Sequence, residues 1–114
     1  MKIPSFFILA AFLATSFAQT KPQITVSPAK VQHRNHVDLR GNGFTPNSNV
    51  SSHLRRSDGT EFPVLPMFTN DRGEIYHDID TLILEPGIHE VWIIDDHSKT
   101  VSNVARFEVT LDTP

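Results

Sequence analysis

Six histidines, at 33, 36, 53, 77, 89 and 97, are the side chains of this sequence best suited to hold zinc or copper. His33 and His36 stand three apart, a spacing that pairs ligands on a helix, but their segment reads as loop running into strand. His77 is in phase with Ile75 and Ile79, and His89 with Val91 and Ile93, which assigns both to core faces as hydrogen-bonded buried imidazoles. A metal site needs at least three side chains converging at about 2.0 to 2.2 Å. A histidine-using metal-binding protein therefore ranks last of three readings. For hydrolysis the chain offers Asp96-His97-Ser98, but consecutive residues cannot set nucleophile, base and carboxylate in relay. No G-x-S-x-G or H-E-x-x-H pattern occurs. Asp71, Asp95 and Asp96 lie in turn segments, where aspartate makes turns more readily than it binds calcium. The expectation is a protein that is not an enzyme, with no catalytic residue, cofactor or resident metal.

The elements that must position any site begin after a leader. Residues 1–18 carry one basic residue, Lys2, then an apolar run, with Ser16 and Ala18 at the minus-three and minus-one positions of a cleavage site. This is the pattern of a secretory signal peptide, cleaved near Ala18, and it predicts a secreted or periplasmic protein. The run is short for a membrane span of about 20 residues and none follows, so the mature chain is expected to carry no span. Without Lys2 the chain has 9 basic and 13 acidic residues, a net of −4, which is no footprint for nucleic acid. It has no cysteine, so no disulfide staples a domain of residues 19–114 and a continuous apolar core must supply the stability.

All five glycines and seven of eight prolines follow the leader and punctuate short alternating runs. Strands are expected at residues 23–27, 36–41, 50–56, 61–69, 74–83, 88–94 and 101–111. Pro63 and Pro66 each remove a ladder donor and send the fourth strand to a sheet edge. The run 88–94 is the most β-prone and should be central. In the last strand Ala105, Phe107, Val109 and Leu111 alternate inward. About seven antiparallel strands with no helix predict an all-β, immunoglobulin-like sandwich in a single domain.

Gly41-Asn42-Gly43-Phe44-Thr45-Pro46-Asn47-Ser48-Asn49-Val50 resembles the G-x-G-F-x-P-x-S-x-V signature of bacterial Ig-like domains of the IPT/TIG type. Ile24 to Pro28 resembles their I-x-V-x-P first strand, and Leu84 to Val91 their L-x-P-G-x-Y-x-V step. His89 stands where that family commonly has tyrosine. The resemblance implies the fold and leaves function open, since such modules serve as spacers, adhesin parts and binding domains.

Phase then gives a candidate site. If His89, Val91 and Ile93 point inward, Glu90, Trp92 and Ile94 point outward. In an Ig-like sandwich the third, sixth and seventh expected strands share a sheet, so His53, Arg55 and Arg106 flank Trp92 on its outer face. An indole beside guanidinium groups suits a protein or carbohydrate partner. The leading reading is thus an interaction module using Trp92, Ile94, His53, Arg55 and Arg106; the main alternative is a structural or assembly subunit pairing through a sheet edge. The outward positions of the other sheet, Asp38, Arg40, Tyr76, Asp78 and Asp80, predict a solvated, ion-paired face.

Overall fold

The computed structural model describes residues 21–111. The expected leader, residues 1–18, lies outside the described residues. Eight strands form two sheets. β1 (Gln23–Ser27), β3 (His36–Asn42) and β6 (Ile75–Asp80) make a three-stranded sheet in the order β1-β3-β6. β2 (Lys30–Gln32), β4 (Asn49–Arg55), β5 (Leu65–Phe68), β7 (Gly87–Asp95) and β8 (Ala105–Thr110) make a five-stranded one in the order β2-β8-β7-β4-β5.

Alternation builds both layers. In β3, Val37 and Leu39 are buried; in β7, His89, Val91, Ile93 and Asp95; in β8, Ala105, Phe107 and Val109. Each strand therefore gives one row to a common interior, where every large aliphatic or aromatic side chain contributes roughly 1.5–3 kcal/mol. Gly41 continues the inward row of β3 because no side chain fits: a Cβ there would stand 2.9 Å from Ile75 and 3.0 Å from both Ile24 and Phe44. The glycine of the signature thus lets Phe44 into the core.

The expected sandwich of about seven antiparallel strands is present, with one further short strand and one parallel pair. Pro28, with no N–H to offer, ends β1, and the chain crosses to the second sheet as β2, which pairs parallel with β8. The strand expected over 61–69 is confined to Leu65–Phe68, on the sheet edge as its prolines require. The strand expected to reach residue 83 stops at Asp80, whose carboxylate accepts from Leu82 N at 2.9 Å and turns Thr81–Ile83 into a short 3-10 helix. The last strand begins at Ala105, and Leu111, expected inward, is 74% exposed. β7 is central, as its composition predicts.

Candidate functional site

The outer face of the five-stranded sheet carries the side chains singled out above. β7 buries Val91 and Ile93, so Glu90, Trp92 and Ile94 turn outward, each half-buried. The β4–β7 register sets His53 directly opposite Trp92 and Arg55 opposite Glu90; the β7–β8 register sets Arg106 on the other side of Glu90. Cross-strand neighbours stand about 4.5–5.5 Å apart, close enough for rings and charges to meet. The His53 imidazole stacks on the indole with centroids 5.3 Å apart and planes 11° from parallel. Arg55 Cζ lies 4.8 Å from the indole centroid, a cation–π contact.

Glu90 orders the cationic half of the face. Arg106 Nε donates to Glu90 Oε2 at 2.8 Å, and Arg55 Nε lies 3.3 Å from Oε1 in ion-pair contact without hydrogen-bond geometry. One carboxylate therefore holds two guanidiniums, of which Arg55 lies against the indole. At the β5 side, His53 Nδ1 lies 3.8 Å from Glu61 Oε1. Four of the five expected residues, Trp92, His53, Arg55 and Arg106, thus form one connected group. Ile94 shares the face but stands opposite Ser51 and bridges to Val101, beyond the stack. Sequence reasoning missed the clamping role of Glu90: its outward phase was legible, but the two arginines on either side follow from register.

Several polar residues away from this face hydrogen-bond within the fold. Asp95 is buried, and its carboxylate accepts from Thr45 N at 2.7 Å, Thr45 Oγ1 at 2.8 Å, His97 N at 3.0 Å and Ser98 N at 3.1 Å. Burial alone would raise its carboxyl, but the Thr45 and Ser98 donors outweigh that and lower it to about 2. Both oxygens of Asp96 accept from Ser51 Oγ at 2.9 Å. His89 is fully buried, with Nε2–H donated to Glu85 O at 2.8 Å and its ring against Phe107, in keeping with the core assignment. His77 corrects it: the side chain is only half-buried and lines the open side of the sandwich. His33 Nε2 meets Leu82 O at 3.0 Å and His36 Nδ1 meets Asp78 Oδ1 at 2.9 Å. Among the described residues, no three His, Asp or Glu side chains gather where they could hold a metal ion.

On the opposite sheet the expected solvated face is present: Tyr76 donates to Asp38 Oδ1 at 3.1 Å and Arg40 Cζ lies 4.7 Å from the Tyr76 ring. A cleft of about 590 Å³ opens there, bounded by Arg40, Glu74, Tyr76 and Phe68, and has no contact with the Trp92 group. Among the described residues, no helix is long and apolar enough to cross a membrane.

No family model matches this chain, and no curated protein does. Solved structures do. Macromomycin is 13% identical, covering 80% of this chain and 99% of its own, with a TM-score of 0.51. The fold is immunoglobulin-like. The PKD domain of an M14-like peptidase from Thermoplasmatales archaeon SCGC AB-540-F20 is similar at 16% identity, 84% and 100% coverage and TM-score 0.46. A CARDB domain from Pyrococcus furiosus is similar at 12% identity, 81% and 93% coverage and TM-score 0.47. Likeness at this identity concerns architecture, and function has to be argued from the site.

Proposed function

We propose that this chain is an exported, non-enzymatic Ig-like module of the IPT/TIG type, a single domain over residues 19–114 that binds a protein partner through the sheet face around Trp92. The observation that carries this reading is the shared carboxylate of Glu90, which holds Arg106 and an Arg55 that lies against an indole stacked on His53. Tryptophan and arginine are the residues that dominate interface energetics, and here their side chains are already ordered, which reduces the entropy lost on binding. A protein is favoured over a sugar because the indole already stacks on His53 and meets Arg55, whereas sugar stacking needs an open ring face. The leader pattern of residues 1–18 supports secretion or a periplasmic location.

The test is capture from the exported fraction of the source organism with wild-type chain, Trp92→Ala and Arg106→Glu, alongside a glycan array. A protein retained by wild type and lost by both variants, with their melting transitions within a few degrees of wild type, supports the proposal. Equal capture by all three overturns it, and wild-type binding confined to the glycan array replaces the protein partner with a carbohydrate. A second reading, assembly through a sheet edge, is favoured by the open edge of β6.

A further inference from the structure

Among the described residues, three of the four sheet edges are protected. At β1, the Asn103 side chain acts as a substitute strand: its Oδ1 accepts from Ile24 N at 2.8 Å and its Nδ2 donates to Ile24 O at 3.0 Å. β2 is only 3 residues long. β5 carries Pro66 within it and Pro63 before it. Short strands and prolines are the usual devices against unwanted pairing. β6 has 6 residues and neither proline nor glycine.

The ladder phase shows what β6 offers. Thr81 N donates to Asn35 O, and this pair continues the His36↔Asp80 register of β3 and β6. Alternate pairs of an antiparallel ladder exchange hydrogen bonds, so the backbone groups of Ile75, His77 and Ile79 face β3 while those of Tyr76, Asp78 and Asp80 face away from it. Among the described residues the outward N–H and C=O groups of Tyr76 and Asp78 and the N–H of Asp80 meet no partner, while the Asp80 carbonyl accepts the first bond of the 3-10 helix. An Ig constant-type sheet has a fourth strand at this position. In its place runs an apolar cleft of about 320 Å³ between β6 and the β4–β5 side, with Leu54, Phe62, Leu65, Ile79, Ile83 and Leu84 in its walls. Its rim is apolar too: Ile83 is 73% and Leu65 42% exposed.

We propose that the β6 edge accepts an extended segment of another polypeptide in which aliphatic residues alternate with lysine or arginine. Pairing with Tyr76, Asp78 and the Asp80 N–H would complete the backbone bonds. Side chains alternate faces, so one set of the incoming strand enters the cleft and the other lies on the outer face beside Asp78 and Asp80. No lysine or arginine stands on β6; of the neighbouring β3 side chains His36 meets Asp78 and Arg40 lies over Tyr76, while the Asp80 carboxylate only caps the 3-10 helix. The same acids argue against a second copy of this chain, because antiparallel pairing of β6 with itself about Asp78 opposes Asp78 to Asp78, and like charges directly opposite are destabilising. This inference is independent of the Trp92 site.

The probe is a dye-labelled octapeptide alternating valine and lysine, compared with its valine and glutamate counterpart, titrated into the full chain with anisotropy as the readout. The lysine peptide should bind at least tenfold more tightly, and amide exchange at Tyr76, Asp78 and Asp80 should slow at least tenfold in its presence. Asp78→Lys should remove or reverse the preference, and Ile83→Glu, at an exposed rim position, should weaken binding several-fold with the fold intact. Trp92→Ala should leave binding unchanged, which separates this edge from the proposed docking face. Equal affinity for the two peptides, no binding of either, or protection falling on β5 or on the Trp92 face overturns the proposal.

Discussion

Asp95 and Thr45, fifty residues apart, are joined twice: one carboxylate oxygen accepts the Thr45 backbone N–H at 2.7 Å and its hydroxyl at 2.8 Å. The bond pins the loop after the glycine signature to the end of the central strand. The carboxyl is lowered from 3.8 to about 2, so its contribution is fully present above the unfolded value near pH 4 and is lost as pH falls through about 2. The shift corresponds to about 2 kcal/mol. Urea unfolding of wild type should show this loss between pH 4 and pH 2. Asp95→Asn should unfold more easily at pH 7 and show a flatter profile over that interval; parallel profiles would contradict the assignment.

Gly73 gives a steric prediction with an internal control. Its φ is +72°, and a Cβ built on it would collide with the Phe44 carbonyl oxygen. Gly59 has φ +92° with nothing within 4 Å. Gly59→Ala should cost only the left-handed backbone penalty, about 1–2 kcal/mol. Gly73→Ala must also displace the backbone at Phe44, and should cost roughly 3 kcal/mol or more. Equal melting temperatures for the two variants would contradict this close approach.

His89 buries one satisfied nitrogen and one that is not. Nε2–H reaches Glu85 O at 2.8 Å, while Nδ1 has no partner among the described residues. His89→Phe gives up the hydrogen bond but removes a desolvated lone pair and keeps the volume against Phe107, so it should change stability by less than about 1.5 kcal/mol. His89→Ala leaves a cavity and should cost about 3 kcal/mol. Nitrogen chemical shifts should report the proton on Nε2 in the wild-type protein.

The period of two in Val91-Trp92-Ile93 was enough to place the indole outside and its neighbours inside, because a sheet with one buried face fixes every second side chain. Pro63 and Pro66 likewise announced an edge. Other features depend on partners that no local pattern identifies. Lys30-Val31-Gln32 has a single apolar residue, too short an alternation to be seen as a strand, and is held by its parallel pairing with β8. Glu90 became a clamp only through its register with both Arg55 and Arg106. His77 is in phase with the core, yet among the described residues no strand covers the flank of β6, so phase alone overstated its burial.

Asn103 makes the last prediction, and it bears on why the β1 edge is closed while the β6 edge is open among the described residues. Its amide supplies one acceptor and one donor to the two backbone groups of Ile24, a pairing that requires both functions. Asn103→Asp keeps the acceptor for Ile24 N but sets a carboxylate against Ile24 O, while Asn103→Ala leaves both groups without their side-chain partner. Each variant should lose about 1–3 kcal/mol, since a buried backbone group left unsatisfied costs on that order. Both should also speed exchange of the Ile24 amide, with alanine having the larger effect. If β1 is shielded by this one side chain, Asn103→Ala should in addition show concentration-dependent self-association by sedimentation where wild type does not. An unchanged Ile24 amide in Asn103→Ala would mean that the edge is protected by something other than the mimicked strand.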